Sequence, residues 1–192
     1  MNTADLIKKT ALELFAAGGY EGTALSQIAR TVGIKTPSIY AHFSSKEELY
    51  MAVLRDIVLK EMEKLQGIKK DSGEIERDIK ALFYHLGDFA GKGEELLFYK
   101  RAVFFPPRSL DERIKKEIIH FEVLSGEMLK SILNLGMEKK VLKELNLDDV
   151  HSSFFCLLDG LFFEQHLYEL DELLRRREQI WKFFWLSIKK ES

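Results

Sequence analysis

The chain has 192 residues, of which 46% are hydrophobic and 31% are charged, a balance that excludes disorder of the whole chain. Its 29 Lys and Arg against 31 Asp and Glu give a net charge of -2, which excludes a uniformly basic nucleic-acid coat protein but not a local basic patch. The single cysteine, Cys156, forms no internal disulfide and is expected to be an inert thiol in the core. The first ten residues lack the apolar run of an export signal and no stretch approaches the length of a membrane span, so we expect a cytoplasmic protein without a membrane partner.

Helical spacing dominates the first fifty residues. Apolar residues at i, i+4 and i+8 predict a first helix that Gly18-Gly19 ends, and a short second helix ends at Gly33. Thr36-Pro37 opens a third helix, as a hydroxyl cap before a proline at the first helical position. Ser45 opens a fourth helix as the cap of a capping box.

The remaining sequence predicts five further helices and no strand of useful length. The first two run from Glu74 to Ala90 and from Glu94 to Phe104, and a possible capping box of Ser109 and Glu112 precedes the third, which ends at about Leu135. Leu147-Asp148-Asp149 precedes the fourth and Asp171 the fifth. The fold class is therefore all-α, with about nine helices. We divide the chain into an N-terminal domain of residues 1–46 and a larger helical domain of residues 47–192, joined through the fourth helix.

The segment from Thr23 to Leu49 predicts a helix-turn-helix. Ala29 is small enough to let two helices cross closely, and Ile34 and Ile39 can fill the corner between them. Up to residue 46 the chain carries a net charge of +2, against -4 for the remainder, which is the sign expected of a DNA-facing end. From spacing alone, a plain helical hairpin inside an all-α protein fits equally well.

A set of motifs at fixed spacing distinguishes these alternatives. They are Gly19-Tyr20, Ile28-Ala29, Gly33-Ile34, Ile39-Tyr40, His42-Phe43 and Ser45-Lys46-Glu47-Glu48-Leu49. Together they resemble the DNA-binding domain of the TetR family of bacterial transcriptional regulators, over about residues 5 to 55. The larger domain is similar to the family only in its plan of helices and in Leu158-Asp159-Gly160-Leu161. One departure is Ala24, which stands where the family usually places a Ser or Thr that caps the second helix and touches a phosphate.

The resemblance implies a set of DNA-binding residues. Lys35, Thr36, Pro37 and Ser38 would approach base edges from the start of the third helix. The other implied residues would contact the DNA backbone: Tyr40, His42, Lys46 and Thr23. Thr23 would also provide the cap of the second helix that Ala24 cannot provide. The same side chains have structural alternatives, since Lys46 could be a solvated first-turn residue and His42 a packing histidine.

The resemblance also implies an effector pocket and a dimer interface in the larger domain. Aromatic residues concentrate in helices five to seven, with a few polar groups between them, as an apolar ligand site requires. The candidate pocket residues are Phe83, His85, Phe89, Phe98, Arg101, Phe104, Phe105, His120 and Phe121. The alternative for each aromatic residue is that it fills the core.

Wide apolar stripes on the last two helices favour a homodimer whose interface is a four-helix bundle. The candidate interface residues are Phe154, Phe155, Leu158, Leu161, Phe162, Gln165, Leu174, Trp181, Phe184 and Trp185. The alternative is that these residues pack only within one chain, and one face of each helix must in any case pack against the rest of its own chain.

No catalytic or metal-ligating constellation is evident, so we expect neither an enzyme, nor a metal, nor a cofactor. The five histidines form no close pair, and no glycine-rich loop has a phosphate-binding pattern. The leading hypothesis is a dimeric, nucleoid-associated regulator, most simply a repressor, that binds a near-palindromic double-stranded DNA operator and is released by a small, largely apolar effector. The alternative is a helical small-molecule or lipid-binding protein of the same fold that does not bind DNA.

Overall fold

A computed structural model describes residues 2–68, 73–88 and 93–191. Within these ranges the fold is all-α with nine helices, as predicted. Their bounds are α1 (Thr3–Gly18), α2 (Leu25–Val32), α3 (Thr36–Tyr40), α4 (Lys46–Gln66), α5 (Ile75–Gly87), α6 (Glu94–Phe104), α7 (Asp111–Glu138), α8 (Leu147–Glu164) and α9 (Leu170–Ile188). Within the described residues, Leu142 and Lys189 form an isolated antiparallel β-bridge.

The chain forms two compact units that do not coincide with the predicted domains. The N-terminal unit comprises residues 1–63 and 90–121, and the C-terminal unit comprises residues 64–89 and 122–192. Helix α6 and the first part of α7 therefore belong to the same unit as α1, α2 and α3. The boundary at residue 46 stays a prediction about where the DNA-binding part of the chain ends, because the two packed units are divided at other residues.

The N-terminal unit is built around α1 and an aromatic cluster. Asn2 caps α1, because its side chain accepts a hydrogen bond of 2.9 Å from the backbone N–H of Asp5. The helix buries Ile7, Ala11 and Phe15, which share one face at the spacing of four residues. The ring of Phe15 lies 5.0 Å from that of Tyr50, which joins α1 to α4 in one core.

The C-terminal unit has a separate aromatic core. The ring of Phe83 on α5 lies 5.6 Å from Phe154 on α8 and 5.8 Å from Trp181 on α9. Phe184 stacks on the same residue at 6.5 Å, so three helices meet at Phe83. Helix α8 begins with a cap that the sequence prediction missed, since the side chain of Asn146 accepts from the backbone N–H groups of residues 148 and 149.

Candidate nucleic-acid interface

Helices α2 and α3 are joined by a turn whose geometry is encoded locally. Gly33 has a φ of 82° in the left-handed region, which a glycine adopts without steric cost. Its N–H donates to the carbonyl of Arg30 at 3.2 Å, and the N–H of Ile34 donates to the carbonyl of Ala29 at 2.9 Å. These two bonds form a Schellman motif, which ends α2 and directs the chain into α3.

Helix α3 is fixed by one buried residue and exposes the rest. Ile39 is completely buried, whereas Tyr40 beside it is 56% exposed. The helix starts at Thr36 itself, with Lys35 in the cap position and no side-chain cap bond, so the predicted hydroxyl cap by Thr36 is wrong. Thr36 is half-buried, and the other predicted base-contacting and backbone-contacting residues of this segment are exposed: Lys35, Pro37, Ser38, Tyr40 and His42. The structure thus brings these predicted DNA-binding residues to one short, surface-exposed segment.

Lys46 lies at the start of α4 and is held by an aromatic ring. Its ammonium group lies 4.1 Å from the centroid of the Tyr20 ring, a cation–π contact. Burial and a hydrogen bond to the Glu47 carboxylate raise the pKa of Tyr20. The pKa of Glu47 is lowered by its backbone hydrogen bond and by the bond from Tyr20. Ser45 caps α4 by accepting from the N–H of Glu48 at 3.1 Å, as predicted.

Thr23 does not have its predicted role. The N-cap position of α2 is occupied by Ala24, which makes no side-chain cap bond. The Thr23 side chain is buried, and its hydroxyl donates inward to the carbonyls of Gly19 at 2.8 Å and Leu14 at 3.1 Å. The assignment of Thr23 to DNA binding is therefore wrong, because its hydroxyl closes the turn after α1 instead of facing solvent.

The predicted effector pocket is divided between the two units. Phe83 fills the C-terminal core, Phe98 fills the N-terminal core, and Arg101 bonds the end of α1, and a pocket role for these three stays a prediction. Phe121 is also buried and His85 is half-buried, while Phe89 lies outside the described residues. The pocket candidates at the surface of the N-terminal unit are Phe104, Phe105 and His120.

Each unit has a surface groove elsewhere, lined mainly by charged residues. A groove of about 230 Å³ in the N-terminal unit lies between α1, α4 and α6, where Lys8, Asp56 and Lys60 line it. A groove of about 520 Å³ in the C-terminal unit follows α5, where Glu76, Lys80 and Tyr84 line it. Neither groove is lined by a residue predicted for the pocket.

Half of the predicted dimer interface is core. Because five of the predicted side chains pack inside a single chain, a partner cannot reach them and their assignment is wrong: Phe154, Leu158, Leu161, Trp181 and Phe184. The other five reach the surface of the C-terminal unit at least in part: Phe155, Phe162, Gln165, Leu174 and Trp185. Gln165 also donates to the carbonyl of Gly87 at 3.4 Å.

The sequence prediction missed several exposed apolar residues of this region. Phe163 on α8 and Phe183 and Leu186 on α9 are all more than half exposed. Cys156 on α8 is exposed too, so its expected place in the core is wrong. The signal for α9 was present, because Phe183 and Leu186 lie on the opposite face from Trp181 and Ile188 at helical spacing.

The described residues show neither a metal-binding cluster nor a membrane-spanning helix. They contain no group of three or more His, Cys, Asp or Glu side chains that could hold a metal ion. None of the helices in the same ranges combines the length and the apolar character that crossing a membrane requires.

Known proteins resemble this chain most clearly at its N-terminus. Residues 7–53 match the family model of the bacterial regulatory proteins, tetR family. Over 46 residues the chain is 46% identical to the biofilm operon icaADBC HTH-type negative transcriptional regulator IcaR of Staphylococcus epidermidis. That segment is 24% of this chain and 25% of the relative, so the chain matches about a quarter of the length of its curated relatives.

Solved structures resemble the chain over nearly its whole length. A TetR transcription regulator from Haloarcula marismortui aligns over 98% of both chains with a TM-score of 0.82 and 16% identity. The transcriptional regulator FadR from Bacillus subtilis, in complex with stearoyl-CoA, aligns over 94% of this chain and 96% of its own with a TM-score of 0.74 and 17% identity. At these identities the likeness establishes the fold.

Proposed function

We propose, from the match of residues 7–53 to the tetR family model, that the protein is a DNA-binding transcriptional regulator. It acts as a homodimeric repressor that leaves its operator when a small, largely apolar effector binds. The observation that carries the proposal is the α3 segment, in which the buried Ile39 fixes a short helix and adjacent polar residues are exposed. The negative regulator IcaR, 46% identical over the aligned segment, supports the repressor role.

The predicted DNA-binding residues that are at least partly accessible fall into two roles by their chemistry. Lys35, Thr36, Pro37 and Ser38 lie at the start of α3, from which a recognition helix contacts base edges in the major groove. Tyr40 and His42 at its end contact the sugar–phosphate backbone. Lys46 binds a phosphate, and the ring of Tyr20 keeps its ammonium group at the start of α4, where the helix dipole also favours an anion.

A dimer would place two such segments on one operator. Recognition helices related by a two-fold axis read half-sites about 34–36 Å apart, which is why we expect a near-palindrome. We propose that the exposed apolar residues of α8 and α9 form the interface. The set combines the accessible predicted residues with those that the prediction missed: Phe155, Phe162, Phe163, Leu174, Phe183, Trp185 and Leu186.

The dimer proposal has a matched test at two leucines of equal exposure. Leu186 on α9 is 59% exposed, and Leu59 on α4 is 58% exposed. A glutamate at position 186 would place a charge in the proposed interface, whereas one at position 59 would remain in water. We expect Leu186→Glu to shift the protein toward monomer in sedimentation equilibrium and Leu59→Glu to leave it dimeric. Equal behaviour of the two variants would contradict the interface.

We propose that the effector carries a long apolar group. The similar fold of B. subtilis FadR in complex with stearoyl-CoA supports this class of ligand. Phe104 and Phe105 at the end of α6, with His120, are the predicted pocket residues that remain accessible in the N-terminal unit. Fatty acids and acyl-CoA thioesters of graded chain length, added to the protein–DNA complex, test the class. Release by none of them would refute it without affecting the DNA-binding proposal.

The experiment that tests DNA binding uses a pool of random duplex DNA at two salt concentrations, with sequencing of the retained fraction. We expect a near-palindrome and an affinity that falls steeply with salt, because phosphate contacts release counterions. Lys46→Ala should weaken binding to all sequences and reduce the salt slope by about one, whereas Ser38→Ala should change the preferred sequence. Weak binding without sequence preference would instead favour the helical carrier, and native mass spectrometry would then detect its retained ligand.

A further inference from the structure

The C-terminal end of α1 is completed by a residue from another helix. The last four carbonyls of an α-helix lack partners inside the helix. In α1, the carbonyl of Phe15 accepts from the N–H of Gly19 at 2.9 Å. The next two carbonyls accept from the guanidinium of Arg101 on α6, at 2.7 Å from Nε to Ala16 and 3.0 Å from Nη2 to Ala17. Two carbonyls that would otherwise depend on water thus depend on α6.

The local sequence supplies no substitute for this cap. The last turn of α1 contains no basic residue, and Gly19 has a φ of 71° and a ψ of 177°, outside the left-handed helical conformation of a Schellman motif. A guanidinium suits the position because its planar donors can bond two carbonyls at once. Its positive charge also lies at the negative end of the helix dipole. Arg101 therefore provides both the hydrogen bonds and the charge that the end of α1 lacks.

Arg101 is anchored by the packing of its own helix. Phe98 lies three residues earlier on α6 and is fully buried. Its ring lies 4.7 Å from the ring of Tyr50 on α4 and 6.4 Å from the ring of Phe15 on α1. Since residues three apart share a helix face, α6 holds α1 through an apolar contact and a charged cap side by side. A shift of α6 along or away from α1 would withdraw both donors together.

We propose that Arg101 is a positioning residue for DNA binding, which holds α1, and with it the α2–α3 pair, in the orientation that fits the operator. The proposal rests on the proposed function, because α3 must read DNA for its orientation to matter. It assigns to Arg101 a role that acts through the end of α1 and involves no contact with DNA or effector. Undocking of α6 would then loosen the segment from Leu14 to Ala24 and weaken DNA binding.

Two substitutions and one matched control test the role. Arg101→Gln removes the charge and the fork of donors, and Arg101→Lys keeps the charge but cannot bond two carbonyls in the same way. Arg108→Gln makes the same chemical change at an exposed arginine of the same unit. Two properties are measured for each full-length variant: affinity for the operator recovered from the random pool, over a range of salt, and hydrogen–deuterium exchange of peptides covering residues 14–24.

We expect Arg101→Gln to lower operator affinity about tenfold with an unchanged salt slope, because no phosphate contact is lost. Exchange should accelerate in residues 14–24 and stay unchanged in residues 49–54 of α4. Arg101→Lys should recover part of both effects, and Arg108→Gln should show neither.

Several outcomes would overturn the proposal. Unchanged affinity would remove the link to DNA binding, and a salt slope reduced by about one would mean that Arg101 contacts a phosphate itself. Accelerated exchange in residues 49–54 as well would indicate a general contribution to folding. If the wild-type protein binds no duplex DNA, the proposed function fails, and unchanged exchange in residues 14–24 would still independently refute the cap.

Discussion

The first two helices end in opposite ways. Helix α2 ends at Gly33 with hydrogen bonds from the next two backbone N–H groups, so its end is determined by nearby residues. Helix α1 ends at a turn that receives its bonds from the Thr23 hydroxyl and, from α6, the guanidinium of Arg101. The turn that presents α3 is therefore encoded locally, whereas the orientation of α1 depends on a helix about eighty residues away in sequence. A segment can thus carry a family motif and still rely on a distant residue for its position.

The largest effect is expected at Gly22, which lies in the turn after α1. A Cβ at this position would fall well inside van der Waals contact with the backbone carbonyl oxygen of Gly18, and a backbone atom cannot move aside cheaply. We expect Gly22→Ala to lower the free energy of unfolding by about 2–3 kcal/mol. Urea denaturation measures the loss. An unchanged unfolding midpoint would show that the turn adapts, and the end of α1 would then not be sterically constrained at Gly22.

A smaller loss of stability is expected when the buried hydroxyl of Thr23, in the turn after α1, is removed, and the exposed hydroxyl of Thr31 on α2 provides the control. Thr23→Val removes a buried donor shared by the carbonyls of Leu14 and Gly19, and should cost about 1–2 kcal/mol in unfolding free energy. Thr31→Val is the control, because its hydroxyl donates to the carbonyl of Gln27 at an exposed position on α2 and its loss is compensated by water. Thermal or urea unfolding of both variants gives the difference. Equal losses would contradict the distinction between the two helix ends.

The local end of α2 should be sensitive to backbone conformation alone. Gly33 has a positive φ, and a Cβ added there would meet no other atom within 4 Å. Gly33→Ala should therefore cost about 1 kcal/mol, from the left-handed conformation and not from a clash. Gly33→Asn should cost less, since asparagine tolerates this conformation better. Urea unfolding compares the two variants, and an equal or larger cost for asparagine would argue against this explanation.

The smallest effect is expected on the pKa of Glu47, whose carboxylate accepts a hydrogen bond from Tyr20. The pKa of Glu47 is lowered, so its ionised form contributes stability above the ordinary glutamate pKa of about 4.3, and this contribution is lost as the pH falls through the lower folded pKa. Tyr20→Phe should raise the pKa of Glu47 only in part, because the backbone hydrogen bond is the larger cause. NMR titration of the Glu47 carboxyl measures the change. A pKa that stays the same would show that the tyrosine hydroxyl does not bond this carboxylate in solution.

Helix positions were predictable wherever the chain contains strong breakers. The predicted α6, Glu94 to Phe104, matches the structure because Gly93 precedes it and Pro106 follows it closely. Helix α7 ends at Glu138, three residues later than predicted, because Gly136 does not end it. This glycine is buried within the helix, where a Cβ would collide with the side chain of Leu142. The exposed residues of α3 were predictable too, because in a helix of five residues the one buried position, Ile39, determines which neighbours face the solvent.

The sequence by itself determined the all-α class, the helix-turn-helix and the exposed α3 segment, because breakers, caps and the spacing of apolar residues act over a few positions. Only the tertiary structure decided that Arg101 bonds α1, that Thr23 turns inward, and that Trp181 is core while Phe183 is exposed. Each of these outcomes depends on which helix packs against which face. A periodic pattern shows that a face is apolar, but the identity of the helix that covers it, and of the side chain that reaches an unpaired carbonyl, is set by residues far away in the chain.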